Sequence, residues 1–284
     1  MDIKFEHVDF TYSPNTPMAE KGLADVSFSL RENSFVAIIG HTGSGKSTLI
    51  QHFNALLKPT NGTIKIAGFE INKDTTNKSL KKLRKQVGMV FQFPENQLFE
   101  ETVLRDIAFG PKNFGVPEEQ AMELAKTWLK RVGLPEEVSE QTPFDLSGGQ
   151  MRRVAIAGVL ASEPDVLLLD EPAAGLDPRG RAEMMQIFTD YQKAGHTVIL
   201  ITHNMDDVAY YADDVLVLEK GELLLHDTPA KVFAHRDWLK EHHLDEPTAS
   251  NYGRKLSGKG FNFTENPLTL NELTNQILQN INKG

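Results

Sequence analysis

Nine consecutive residues carry the first chemistry in this chain: Gly40, His41, Thr42, Gly43, Ser44, Gly45, Lys46, Ser47 and Thr48. A glycine, four residues and then Gly-Lys-Ser, placed directly after the apolar run Phe35 to Ile39, is the spacing of a phosphate cradle. The glycines let backbone N–H groups turn inward, and a helix opening near Gly45 adds its positive dipole end to the same concavity. Lys46 supplies a point charge for the outer phosphates, and Ser47 a hydroxyl for the magnesium that travels with them. From average glycine and lysine usage a chance match is expected in about one such chain per hundred. The flanking strand and helix make chance rarer still.

Four other stretches carry polar groups in telling places. Gln92 ends the apolar run Val87 to Phe91, where its amide oxygen can reach a metal. Leu146, Ser147, Gly148, Gly149 and Gln150 precede a helical run (Val154, Ile156, Ala157, Val159, Leu160) whose N-terminus would face an anion, a second phosphate-binding element. Asp170 and Glu171 stand side by side at the end of the apolar strand Val166 to Leu169. Of two adjacent carboxylates, one can bind a metal and the other accept a proton from an attacking water. His203 follows the strand Thr197 to Thr202, at the edge where open α/β sheets keep ligand-binding groups. A lone histidine is more often structural, and so is a lone tyrosine such as Tyr12, which could otherwise lie flat on an adenine ring.

Strands must position these groups. Alternation over residues 3–10 and 24–30 gives half-buried strands, Gly62 to Gly68 adds a third, and 214–219 with 222–227 make a hairpin about Lys220-Gly221. The helix after the phosphate loop is expected to bury Leu49, Ile50, Phe53, Leu56 and Leu57. Residues 118–132 form an amphipathic helix stopped by Gly133, and Asp177 with Pro178 opens another that ends near Gly195. The basic run Lys78 to Lys85 reads as a solvated helix face. Residues 93–99 mix aromatics with a proline, which suits a mobile loop or a partner groove better than a core. Beyond about residue 240 the texture changes. His242 and His243 read as solvated, Pro247 to Gly260 as a linker, and Thr269 to Glu272 as a capping box that opens a last helix stapled by Leu268 and Leu273.

Bulk properties bound the rest. At 284 residues the chain can bury a full core, and its formal charge of −9 argues against a nucleic-acid partner bound through counterion release. With no cysteine there are no disulfides and no thiolate metal sites. No apolar stretch approaches the roughly twenty residues that span a bilayer. Met1-Asp2-Ile3-Lys4 also lacks the basic-then-apolar start of a secretion signal, so the expected place is the cytosol, with any membrane association through a partner.

Taken together, the phosphate loop, Gln92, LSGGQ, the Leu-Leu-Leu-Asp-Glu strand, Gly175-Leu176-Asp177 and His203 resemble the ATP-binding-cassette ATPases over about residues 1–240. The resemblance implies an α/β fold: a P-loop NTPase core of parallel sheet with flanking helices, an antiparallel β layer, and a helical signature subdomain at about 93–160. Residues 241–284 would be a linker and a small C-terminal helical appendage. It further implies ATP and Mg2+ as ligands, and head-to-tail pairing in which one subunit's signature closes over the other's nucleotide. On that pattern Lys46, Ser47 and Thr48 contact phosphate and magnesium, Tyr12 stacks on adenine, and Gln92 links metal to transporter. Asp170 holds magnesium, Glu171 is the general base, His203 senses the γ-phosphate, and Asp177 speaks across the dimer.

Within that family the stretches 91–99, 108–111 and 150–157 resemble the energy-coupling factor ATPases that power uptake of vitamins and transition-metal ions. The segment between Tyr12 and Val26 and the C-terminal helix are similar to the second of the two paralogous ATPases. The implied partners are a paralogous ATPase in a heterodimer, an integral membrane coupling subunit seated near Gln97 and Leu98, and a membrane-embedded substrate-binding subunit. The implied place is the cytoplasmic face of the cell membrane. The alternative is a soluble cassette ATPase without a pore, serving cofactor assembly or nucleic-acid and ribosome remodelling.

Overall fold

Two sheets lie on either side of one helix, and the larger sheet sets out the polar groups in a row. The structure, a computed structural model, describes residues 3–77 and 80–281. The smaller sheet is antiparallel, in the order β2-β1-β4-β5, from β1 (Ile3–Tyr12), β2 (Glu20–Leu30), β4 (Asn61–Ile66) and β5 (Phe69–Ile71). The larger has the order β10-β9-β3-β8-β7-β6, from β3 (Phe35–Ile39), β6 (Val87–Val90), β7 (Val166–Asp170), β8 (Thr197–Ile201), β9 (Asp214–Glu219) and β10 (Glu222–Asp227). Its strands pair in parallel except for the edge strand β10, which runs antiparallel to β9.

The helices are α1 (Lys46–Phe53), α2 (Leu80–Gln86), α3 (Val103–Asn113), α4 (Glu118–Arg131), α5 (Gly148–Leu160), α6 (Pro178–Lys193) and α7 (Met205–Tyr211). Four more follow: α8 (Pro229–Val232), α9 (Arg236–Glu241), α10 (Thr248–Ser257) and α11 (Leu270–Ile281). Strands of a sheet covered on both faces read as unbroken apolar runs, and here successive residues divide between two cores. Val166 and Leu168 of β7 enter a core shared with α1 and the antiparallel sheet, where the Phe5 ring stacks on Phe28 at 4.5 Å and meets Phe53 at 4.7 Å. Leu167 and Leu169 enter the other, with α3, α4, α5 and α6.

Parallel pairing sends every carboxyl end of β3, β8, β7 and β6 to one edge. The sheet order then sets the phosphate loop, His203, Asp170-Glu171 and Gln92 out along that edge in turn.

Several elements depart from the sequence reading. Helix α1 stops at Phe53, because Ala55 takes a left-handed turn (φ 51°), and Leu56 is exposed while Leu57 is only half-buried. Strand β2 starts at Glu20 and extends the antiparallel layer toward the phosphate loop. The expected linker 247–260 contains α10 instead. Its start is fixed by Asp206, whose carboxylate accepts hydrogen bonds from the Thr248 N–H and hydroxyl, both at 2.7 Å. Leu244 and Leu268 pack on the core beneath α7, so the C-terminal region lies against the sheet domain. His242 is half-buried, bonded to Glu219 and packed on the Trp238 ring, not solvated. Of the basic run, Lys81, Lys82, Arg84 and Lys85 are exposed on α2 as expected, while Lys78 lies outside the described residues.

Candidate nucleotide site

The turn from β3 into α1 needs two of its glycines, Gly40 and Gly45, for space as well as conformation. At Gly40 (φ 152°) a Cβ would stand 2.3 Å from the Leu218 carbonyl oxygen, and at Gly45 (φ 102°) 2.9 Å from that of Gly22. Any larger residue at either position would push strands apart. No side chain caps the start of α1, which leaves its first N–H groups available to an anion. Lys46 is buried, and its Nζ donates to the carbonyls of Gly40 at 2.7 Å and His41 at 2.8 Å. Burial pulls its ammonium below the ordinary lysine value, against the opposing charges of Glu171 and Asp170. A cavity of about 400 Å³ opens beside it, lined by Tyr12, Gly43, Gly45, Lys46, Ser47, Thr48 and, unforeseen from sequence, Gly22, Lys220 and Gly221. Tyr12 is held there by a 2.9 Å hydrogen bond between its hydroxyl and that of Thr48. The Thr42 and Ser47 side chains are exposed, while Ser44 is buried with its hydroxyl unpartnered.

Across the sheet edge, Glu171 and His203 meet: Glu171 Oε1 lies 2.7 Å from His203 Nε2. The Glu171 N–H donates to the Ile201 carbonyl at 3.1 Å, and its backbone is left-handed (φ 49°), which turns this carboxylate away from the strand direction of Asp170. Asp170 is half-buried, and its carboxyl is pushed up by burial and then by the like charge of Glu171, while Lys46 and His203 oppose. The Ser47 hydroxyl and the Asp170 carboxylate are both hard oxygen donors, a set that fits Mg2+ carried by phosphates better than a softer metal.

The signature is arranged differently. Leu146 is buried as an anchor, and Ser147 caps α5 with Gln150 completing a capping box. Gly148 and Gly149 are exposed, with nothing within 4 Å of where a Cβ would stand. None of residues 146–150 lines the cavity at the phosphate loop. Asp177 caps α6, accepting from the Gly180 N–H at 2.8 Å. Gln92 is exposed at the end of the row. Lys46, Asp170, Glu171 and His203 are therefore gathered within one chain, and the signature is not.

At the far edge a groove of about 360 Å³ is lined by Phe91, Gln97, Leu98, Phe99, Phe109 and Phe114 among others. Leu98 serves chiefly as a core residue here, and the rim is Phe99 and Phe109, edge to face at 4.7 Å. Phe109 falls in the 108–111 stretch that carries the resemblance, but nothing in the sequence places it on the groove or points to two ion pairs behind the site: Arg181 with Asp207, and Arg152 with Glu95. Partners 26 and 57 residues apart leave no periodic trace.

A phosphate loop, a paired acid and histidine at the sheet edge and a separate glycine-bearing helix start define a nucleotide-hydrolysing cassette, and the chain belongs to the ABC transporter family, which matches over residues 23–174. Within that family it sides with the energy-coupling factor transporter ATP-binding proteins. It is 63% identical over 281 residues to "Energy-coupling factor transporter ATP-binding protein EcfA2" of Lactobacillus acidophilus, covering 99% of this chain and 98% of that one. Among solved structures it is similar to cbiO1 of Clostridium perfringens, described as part of the ABC transporter complex cbiONQ (TM-score 0.73, 40% identity, 84% of this chain and 93% of that one). It is also similar to the ATP-binding cassette MJ0796, a dimer in a post-hydrolysis state with ADP and Pi (TM-score 0.72, 30% identity, 80% and 98%). The expectation of a cassette ATPase like the second energy-coupling factor paralogue holds, and the pore-free soluble alternative falls away. Among the described residues no helix is long and apolar enough to cross a membrane.

Proposed function

We propose that this chain binds and hydrolyses ATP to power an energy-coupling factor importer of micronutrients, vitamins or transition-metal ions, from the cytoplasmic face of the cell membrane. The cassette proper runs to about residue 240, with the remainder as its appendage. The observation that carries the reading is the 2.7 Å Glu171–His203 contact standing beside the loop that bears Lys46. Glu171 accepts the proton of an attacking water, and His203, bonded to the same carboxylate, orients that water and the terminal phosphate. Lys46 and the uncapped start of α1 hold the outer phosphates, with Gly40 to Thr48 as the cradle wall and Tyr12 as the adenine platform. When bound, Mg2+ neutralises phosphate charge, and Ser47, Asp170 and Gln92 are the residues that would hold it.

The exposed Ser147, Gly148 and Gly149, remote from their own chain's cradle, serve the nucleotide of a paralogous ATPase, and Asp177 faces that partner. This supports a heterodimer closed by ATP. The aromatic groove at Gln97 and Leu98 seats an integral membrane coupling subunit, which in turn holds a membrane-embedded substrate-binding subunit. Purification of the tagged chain from detergent extracts tests the reading. Integral membrane proteins and a second cassette are expected in stoichiometric amounts, and their absence would overturn it.

A further inference from the structure

Arg152 lies in the second turn of α5, just behind the signature, and is 6% exposed. Its guanidinium divides its donors between two distant stretches of chain. Nε and Nη2 donate to the two carboxylate oxygens of Glu95 at 3.0 and 2.7 Å. Nη1 donates to the Ala174 carbonyl at 2.6 Å, with that of Pro172 at 3.5 Å. The Phe93 ring, on a residue in left-handed conformation (φ 53°), lies 5.9 Å from the guanidinium carbon.

The two stretches matter for what they adjoin. Glu95 sits in the 3-10 turn Pro94–Gln97, two residues before Gln97, which with Leu98 and Phe99 lines the groove. Pro172 to Ala174 follow directly on Glu171, and the Ala174 N–H returns to the Glu171 carbonyl at 3.1 Å. Burial pushes the Glu95 carboxyl up, yet the hydrogen bonds and charge of Arg152 outweigh it and hold the group below its ordinary value. A buried ion pair is a poor source of stability once desolvation is counted, whereas it does specify a geometry. Here the geometry is a fixed spacing between the groove turn and the hydrolytic segment.

We propose that Arg152 is a positioning residue that couples the groove turn at 94–97 to the backbone behind Glu171, so that nucleotide-driven movement of one displaces the other. The role rests on the groove being the seat of the membrane subunit. Lysine cannot replace it, because a single ammonium cannot hold a carboxylate fork on one edge and a carbonyl on the other.

The test is amide hydrogen exchange of residues 93–99, with and without ATP, in the full complex and in the purified cassettes. In the parent, ATP is expected to change exchange at 93–99. Arg152→Lys and the isosteric Glu95→Gln should each reduce that change by about fivefold, within the range that coupling residues carry. The double variant should be no worse than either single one, as members of one link are non-additive. Amides 43–48 should still respond to ATP, which shows the variants folded and nucleotide-bound. A full ATP response at 93–99 in the variants, or none in the parent, would overturn the proposal. Failure to capture membrane subunits overturns the groove's role instead, while exchange in the cassettes alone still judges the link.

Discussion

Two helices of this chain begin after glycine-bearing loops, and they are built to opposite specifications. At α1 two of the loop's three glycines are wedged, Gly40 and Gly45 leaving no room for a Cβ beside the carbonyls of Leu218 and Gly22 while Gly43 stands clear, and no side chain caps the helix. At α5 the glycines stand clear, and Ser147 and Gln150 cap the helix reciprocally. The first arrangement makes a cradle complete within one chain. The second gives a stable helix start with an open face, which is what a surface needs if its ligand arrives on another molecule.

The sharpest test of this division removes chemistry while leaving both helix starts intact. Glu171→Gln should lower ATP turnover by about a thousandfold, within the range for a lost general base, with ATP affinity within a few-fold of the parent. Hydrolysis measured near the parent rate would mean that the base lies elsewhere. His203→Ala should cost about a hundredfold in turnover, as loss of one electrostatic contact does. An unchanged rate would reduce its bond to Glu171 to a structural one.

The α1 end carries a pH liability that α5 lacks. His52 is fully buried, with Nδ1 2.7 Å from the Thr48 carbonyl and Nε2 unpartnered, and burial lowers its pKa to about 4 despite that hydrogen bond. The unfolded chain takes up this proton near pH 6.5 and the folded chain only near 4, so stability is lost as pH falls through that window, by roughly 3 kcal/mol. Denaturant melts of His52→Leu should show a flatter acid limb than the parent. Equal limbs would remove His52 from the account.

The smallest effect on stability separates the two glycine types directly. Gly45→Ala should destabilise by about 1–3 kcal/mol through backbone strain and collision. Gly149→Ala should leave stability level or raise it by up to about 1 kcal/mol in helix propensity, yet slow ATP turnover of the assembled dimer. A Gly149→Ala protein with full turnover would mean that the open face contacts nothing in the cycle.

What was legible in the sequence follows the same line. Asp170, Glu171 and His203 lie at or just past the ends of apolar strands, and Lys46 opens the helix that follows β3 through the glycine loop; parallel strands deliver their ends to one edge whatever the connections between them do. The sheet itself and the helices at 118–131 and 178–193 were readable from periodicity for the same local reason. Helix α10 was not, because Ser, Asn, Gly and Lys are linker-like in composition, and its start depends on Asp206, 42 residues away. Arg152 was hidden likewise: nothing in the run Gln150 to Val154 says that one arginine turns inward to Glu95 and its neighbour Arg153 to the Val132 carbonyl. Leu56 misled in the other direction, its helical spacing cut short by the turn at Ala55.

The bond from Asp206 to Thr248 also offers a practical handle. It fastens α10 three residues from His203, and the chain has no native thiol, so one cysteine placed at the exposed Tyr252 would be the sole point of attachment for a fluorophore. Light emitted from that position would register rearrangement around the histidine without a label ever touching the nucleotide.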